Sequence, residues 1–349
     1  MKILVTGGSG FIGSNFIHYQ INNGNKIYNF DNLTYASSSD SLSIFNQNPN
    51  YVFQKGDVAN YKDVQKALSN FCPDKIVHFA AESHVDRSID GPDAFIKTNI
   101  IGTYTLLNES LNYYENMIDS KKKSFRFLHV STDEVFGSLG NFGYFKEDTP
   151  YDPSSPYSAS KAASDLLVMA WNRTYKLPVV ITNCSNNYGP YQFPEKLIPL
   201  MIINAINNKK LPIYGSGENI RDWLYVSDHC RAIDMVLNNG EIGDCYLIGG
   251  DAEKTNLEIV KTICEVLNEL LPKKNFDYKS LIEFVEDRPG HDYRYAIDFS
   301  KIKKKLNWSP QINFNDGIRQ TVKWYIENES WWSNDEKNKY KQERLGIKE

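Results

Sequence analysis

The chain has 349 residues, with 39 Lys plus Arg against 43 Asp plus Glu, a net charge of −4 and 41% hydrophobic residues. This is enough chain for one large or two medium domains with a substantial core, and the composition excludes disordered and collagen-like architectures. Its apolar runs fall short of the ~18 residues of a membrane helix, and its mild acidity gives no electrostatic footprint for nucleic acid, so neither partner is expected.

Taken in chain order, alternating short apolar runs and helical patterns predict an α/β fold built on a Rossmann-type doubly wound parallel sheet. A strand at Lys2 to Thr6 leads into Gly7, Gly10 and Gly13, which open a helix running from Gly10 to Asn22. Glycines at this spacing let the backbone approach a pyrophosphate, and the helix N-terminus adds N–H donors and partial positive charge. The second strand, Lys26 to Phe30, ends at Asp31, eighteen residues beyond Gly13. A carboxylate there accepts from an adenosine ribose diol and repels a 2′-phosphate, which favours NAD over NADP. A third strand at Tyr51 to Lys55 brings Asp57 and Val58 to the adenine edge. A helix covers Tyr61 to Asn70, and the fourth strand, Lys75 to Phe79, delivers Ala80 and Ala81 to the cofactor.

A helical pattern from Asp93 to Tyr114 precedes the fifth strand, Phe125 to Val130, at whose end stand Ser131, Thr132, Asp133 and Glu134. Strand C-termini in such a sheet face the cofactor crevice. The Thr132 hydroxyl can bond the substrate oxygen being oxidised. Adjacent carboxylates in a cleft work as acid and base when their environments separate their pKa values. In the helix from Pro156 to Tyr175, Tyr157 and Lys161 are four apart and share a face. The ammonium is expected to draw the phenol below its usual ~10, so that Tyr157 takes a hydroxyl proton while Lys161 holds the nicotinamide ribose.

The sixth strand spans Val179 to Asn183, and from Asn186 the texture turns to Pro- and Gly-punctuated segments such as 188–194 and 211–217. These read as loops of a smaller α/β substrate-binding domain, with helices resuming at Leu257 to Leu270 and Gly317 to Glu329. The expected division is 1–185 for the dinucleotide and 186–349 for the substrate, with the stretch around 221–248 returning to the first. The tail from Ser333 is charged and expected to be loosely held. Five scattered Cys are expected to be reduced thiols, and no His, Cys and acid spacing suggests a metal. Met1 to Val5 runs into the glycine turn without a cleavage-site pattern, so a cytoplasmic protein is expected.

Longer motifs then carry a resemblance: Asp31-Asn32-Leu33-Thr34-Tyr35-Ala36, Ala80-Ala81-Glu82-Ser83-His84-Val85-Asp86-Arg87-Ser88, Ser131-Thr132-Asp133-Glu134-Val135, Pro156-Tyr157-Ser158-Ala159-Ser160-Lys161, Phe193-Pro194-Glu195-Lys196-Leu197, Arg221-Asp222-Trp223 and Asp287-Arg288-Pro289-Gly290-His291-Asp292. From the first strand to about Trp324 the sequence resembles the dTDP-glucose 4,6-dehydratases of the extended short-chain dehydrogenase/reductase family. The resemblance implies a tightly held NAD regenerated in each turnover, and dTDP-glucose as substrate. Tyr157 would act in oxidation at C4, Glu134 would remove the C5 proton, Asp133 would protonate the departing 6-hydroxyl, and hydride would return to C6. Cofactor contacts are implied at Phe11, Ile12, Asp31, Asn32, Leu33, Thr34, Asp57, Val58, Ala80, Ala81, Ser83, Thr98, Tyr157, Lys161 and Asn187. Substrate contacts are implied at Ser83, Thr132, Asn186, Lys196, Leu197, Pro212, Ile213, Tyr214, Arg221, Asn256, Asp287, Arg288, Pro289, Gly290 and His291. Arg221 and Arg288 suit a diphosphate, because a guanidinium bonds phosphate oxygens bidentately. A homodimer through Thr98 to Tyr114 and Ser160 to Tyr175 is implied as well. Ser37 and Phe136 depart from the family pattern, which has Gly and often Tyr there. The alternatives are a sugar-nucleotide 4-epimerase, which has no use for the Asp133-Glu134 pair, and a non-catalytic NAD-sensing module.

Overall fold

The computed structural model describes residues 1–287 and 290–333. Its first half runs β1 (Lys2–Thr6), α1 (Phe11–Asn22), β2 (Lys26–Asp31), β3 (Tyr51–Lys55), α2 (Tyr61–Phe71), β4 (Lys75–His78), α3 (Val85–Asp90), α4 (Asp93–Phe95), α5 (Thr103–Glu115), α6 (Asp119–Lys122), β5 (Arg126–Thr132) and α7 (Pro156–Tyr175). Then follow β6 (Val179–Cys184), β7 (Asn186–Tyr188), α8 (Leu197–Ile206), β8 (Leu211–Tyr214), β9 (Ile220–Tyr225), α9 (Val226–Asn239), β10 (Cys245–Ile248), β11 (Glu253–Thr255) and α10 (Asn256–Leu270). The last elements are β12 (Ile282–Val285), α11 (Ser300–Leu306), α12 (Phe314–Glu327) and α13 (Glu329–Trp332).

Seven strands make one parallel sheet in the order β3-β2-β1-β4-β5-β6-β10. Ile3, Leu4, Val5, Ile76 and Val77 are fully buried, as expected of strands covered by helices on both faces. One face packs α1 and α9 through Phe16, Ile17, Ile233 and Val236; the other packs α2, α5 and α7 through Val64, Leu68, Leu106 and Val168. Thr6 pairs with both Phe30 and His78, so the C-terminal ends of β1, β2 and β4 are level, and the crevice opens where the strand order reverses between β1 and β4.

Local chemistry fixes the helices that carry the site. Ser155 caps α7 by accepting from the Ser158 N–H while the Ser158 hydroxyl accepts from the Ser155 N–H, and Pro156 presets the first turn. Thr255 and Glu258 cap α10 in the same reciprocal way.

Two expectations need correcting. The single helix read over Asp93 to Tyr114 is interrupted by a π-helical stretch, Ile96–Gly102, where Gly102 lies so close to Val58 that a Cβ would sit 2.7 Å from its Cγ2. The segment 211–217, read as a loop, contributes β8, which pairs in parallel with β12. A second small sheet, β11-β9-β7, rises beside it over a core built from α8, α10 and α12 around Ile202, Ile263 and Ile318. Of the charged tail, residues 334–349 lie outside the described residues.

Candidate active site

The C-terminal ends of six neighbouring strands converge on one cleft. Gly7, Gly10, Phe11, Ile12 and Gly13 follow β1; Asp31, Asn32 and Thr34 follow β2; Asp57 and Val58 follow β3; Ala80, Ala81 and Ser83 follow β4. Thr98, Thr132, Asp133, Glu134, Tyr157, Lys161, Asn186 and Asn187 complete its walls. Leu33 behaves differently: at φ 54 it turns the chain and donates its N–H to Asp31 Oδ1 at 2.7 Å, and it is not among the described lining residues.

The cleft fits a dinucleotide. Gly7 adopts φ +68, and a Cβ on Gly13 would stand 2.3 Å from the Gly7 carbonyl oxygen, so the turn closes only with these glycines. α1 starts at Gly10 with no side-chain cap, and its first-turn residues line the cleft. Asp31 accepts from the Ser9 and Leu33 amides and from the Ser37 hydroxyl, at 2.9, 2.7 and 3.0 Å. Burial raises its pKa against these three bonds.

A second cleft adjoins the first. Asn186, Lys196, Leu197, Pro212, Ile213, Tyr214, Arg221, Asn256 and His291 line it, joined by His84, Asp86 and Tyr295. Glu134, Asn186, Asn187, Gln192, Glu195 and Lys196 border both clefts and mark their junction. Ser83 and Thr132, expected on the substrate side, line the first cleft. Asp287 and Gly290 are not among the described lining residues; Asp287 instead pairs with His291 at 2.6 Å, and Gly290 turns the chain at φ +63. Arg288 and Pro289 lie outside the described residues. The Arg221 guanidinium stacks 4.2 Å over the Tyr295 ring and donates to the carbonyls of Ile220 and Asp292 at 2.7 and 3.0 Å, which fixes it in the cleft wall.

At the junction the two carboxylates sit in different settings. Asp133 is 1% exposed; its Oδ1 accepts from the Thr132 hydroxyl at 3.3 Å, and its buried Oδ2 has no hydrogen-bond partner among the described residues. Burial, then Glu134 and Asp222, hold its carboxyl well above the usual range, against the opposing pull of Arg221. Glu134 is half-buried, faces both clefts and donates its own N–H to Thr132 Oγ1 at 3.2 Å. The pair therefore sets a buried carboxyl with a raised pKa beside a half-buried one, the separation of settings that acid and base roles use.

The Tyr157 and Lys161 pair differs from expectation. Burial and the Glu134 charge raise the phenol rather than lower it, with a Thr132 hydrogen bond acting the other way. Lys161 reaches past the phenol to the strand beneath: its ammonium donates to Val130 O at 2.9 Å and lies 3.3 Å from His129 Nε2. Desolvation lowers its own pKa.

Sequence reasoning assigned no role to Glu195. It joins three segments around the junction by accepting from the Tyr35 hydroxyl at 3.1 Å and from Arg87 Nε at 2.9 Å, while the Arg87 guanidinium lies 3.9 Å over the Tyr35 ring. Its position inside a Pro- and Gly-rich segment concealed it. Tyr295 had no local signal, whereas Asp165, four residues beyond Lys161, was readable as a residue on the same helical face.

Comparisons with known proteins bear on this arrangement. A family model described as GDP-mannose 4,6 dehydratase matches residues 4–321. A protein named probable dTDP-glucose 4,6-dehydratase from Sinorhizobium fredii is 53% identical over 349 residues, covering 100% of this chain and 99% of that protein. A crystal structure of dTDP-glucose 4,6-dehydratase from Bacillus anthracis in complex with NAD is 48% identical and superposes with a TM-score of 0.83 over 95% of this chain and 99% of that one. Another, from Streptomyces venezuelae with NAD bound, gives 43% identity and a TM-score of 0.87 at the same coverage.

Proposed function

The chain belongs to the GDP-mannose 4,6 dehydratase family, and on that premise we propose that it binds NAD and eliminates water from dTDP-glucose to give dTDP-4-keto-6-deoxyglucose. The observation that carries this reading is the junction of the clefts, where Glu134 faces both and Asp133 is buried behind it with its carboxyl raised well above the usual range. An epimerase would leave that acid without work.

Bound NAD supplies a hydride acceptor for C4 and the donor that later reduces C6. The chain's own residues handle the protons. Tyr157, once its phenol is ionised against the burial that raises it, takes the proton of the 4-hydroxyl as C4 is oxidised, with Thr132 beside it to bond the same oxygen. The new ketone acidifies the C5 proton, which Glu134 removes. Asp133 gives its proton to the 6-hydroxyl, so that water leaves, and Glu134 returns its proton to C5 as C6 is reduced. Arg221 and Lys196 supply positive charge for the diphosphate in the second cleft. Residues 1–185, joined by α9 and β10 of the returning stretch around 221–248, serve the dinucleotide, and the remainder from 186, Arg221 included, serves the nucleotide sugar.

A homodimer is part of the reading. Ile96, Ile101, Tyr104, Leu166 and Tyr175 are 46 to 62% exposed, and they lie on the packed pair formed by α7 and the π-helical stretch with α5. Tyr104 and Tyr175 both pack on Trp171, and exposed apolar side chains grouped in this way fit an interface. Among the described residues no helix is long and apolar enough to cross a membrane; with five free thiols, this supports a cytoplasmic location. Incubation with dTDP-glucose should generate the alkali-induced absorbance of a 4-keto sugar, and UDP-glucose should give less. Recovery of dTDP-galactose alone would refute the assignment.

A further inference from the structure

Behind the catalytic pair lies a buried polar cluster that the mechanism above does not use. Lys161, His129 and Asp165 are 4%, 0% and 0% exposed. A buried ammonium is costly unless an opposite charge is held near it. Among the described residues its surroundings supply one clear candidate. Asp165 lies one turn further along α7, and its Oδ1 is 3.2 Å from His129 Nε2, the same ring nitrogen that the Lys161 ammonium approaches at 3.3 Å. Ammonium and carboxylate thus flank a single imidazole nitrogen.

The carboxylate is itself fixed from three directions. Its Oδ2 accepts from the Ser131 hydroxyl at 2.8 Å, the Tyr151 hydroxyl at 3.1 Å and Asn183 Nδ2 at 3.1 Å, groups on β5, the loop before α7, and β6. The imidazole is fully buried between them, with its ring centroid 5.2 Å from that of His78, and burial pushes its pKa down to about 4, so it is neutral at physiological pH. His78 is occupied elsewhere, by the hydroxyls of Thr6 and Thr103 at 2.7 and 3.0 Å. The Nε2 of a neutral ring accepts from the Lys161 ammonium, so Asp165 Oδ1, which has no hydrogen-bond partner among the described residues, acts on that ammonium through its charge.

We propose that His129 and Asp165 form a positioning couple that holds the Lys161 ammonium protonated and fixed in the wall of the first cleft, which it lines, for the oxidation at C4. The proposal rests on the functional reading above for the step it serves. The other titratable groups acting on Lys161 are His78 on β4 and Cys184 on β6; Tyr157 on its own helix and Asp133 and Glu134 after β5 line the same cleft, while Cys245 on β10 faces Asp165. Of these, Asp165 is the leading influence that keeps the lysine charged, against its desolvation.

Neutralising Asp165 removes support for the ammonium, so Lys161 loses its proton at lower pH, and the alkaline limb of the rate profile moves down. The experiment follows NADH formation on rapid mixing of the NAD-loaded protein with dTDP-glucose across pH. This first hydride transfer is common to dehydratase and epimerase chemistry, and 4-keto sugar is assayed in parallel. In D165N the alkaline limb should fall by about one pH unit or more, a loss of about tenfold on the alkaline side that shrinks toward acid, with KM and NAD content unchanged. H129Q, whose amide oxygen still accepts from Lys161, should stay within about threefold of the wild type, and H129L should lose the step. Should D165N not fold, the H129Q and H129L pair decides alone. A rate loss equal at every pH, or an H129L protein with wild-type hydride transfer, would overturn the proposal. NADH formation without 4-keto sugar in the wild type would overturn the dehydratase reading instead and leave the couple standing.

Discussion

Replacing Asp133 with Asn separates the two halves of the proposed chemistry. The side chain is 1% exposed, its Oδ2 has no partner among the described residues, and burial with two neighbouring carboxylates holds its carboxyl well above the usual range. A carboxyl whose pKa is raised by folding contributes stability below its unfolded pKa and loses it as pH rises through the folded value, so at neutral pH its burial is a cost that an amide avoids. Asp222 nearby illustrates the scale: burial pushes it up to about 6 from 3.8, which corresponds to about 3 kcal/mol above both values. D133N should therefore match or exceed the wild type in melting temperature. Its catalysis should suffer at one step. A positioned general acid contributes about 10² to 10⁴ in rate, or about 3 to 5 kcal/mol, so elimination should slow by that factor while oxidation at C4 persists. Mixed rapidly with dTDP-glucose, the variant should accumulate NADH absorbance, and quenched samples should lack the 4-keto-6-deoxy product. Wild-type turnover, or NADH formation reduced as far as elimination, would refute the assignment of Asp133 as the acid.

Gly13→Ala places a Cβ 2.3 Å from the Gly7 carbonyl oxygen and 2.8 Å from Gly8 Cα, so the purified protein should lose its NAD, as read by the absorbance of a perchloric acid extract. His229 is fully buried and burial pushes its pKa down to about 3 from 6.5, so stability present above 6.5 should drain as pH falls toward 3, by about 5 kcal/mol. H229Q should flatten that part of a denaturant-unfolding series against pH. Leu166, 62% exposed on α7, should contribute about 2 kcal/mol per subunit to the proposed dimer, and L166R should sediment as a monomer at concentrations where the wild type does not.

The parallel sheet was legible because strands buried on both faces read as unbroken apolar runs: Ile3-Leu4-Val5 and Ile76-Val77 need no alternation to be recognised. The two small sheets were not, because β7 and β11 of one are three residues each and β8 of the other carries Pro212, a residue that argues against a strand except at an edge or bulge. The π-helical stretch in the Asp93 to Tyr114 pattern comes with a close approach of Gly102 to Val58, a tertiary contact that no local signal encodes. Spacing placed Tyr157 and Lys161 on one helical face, and the structure keeps them there. The direction of the Lys161 side chain depended on His129 and Val130 of β5, distant in sequence, and so the expected drop in the phenol pKa failed where burial and Glu134 prevailed. The settings of Asp133 and Glu134 were likewise unreadable before folding placed Asp222 and Arg221 around them.

The most direct test of the central claim is the fate of the C4 hydrogen. With dTDP-glucose deuterated at C4, the account predicts a 4-keto-6-deoxy product carrying the deuterium at C6, detected by mass spectrometry of the sugar and by NMR of its methyl group. Deuterium recovered at C4 of a dTDP-hexose that keeps its 6-hydroxyl would contradict it.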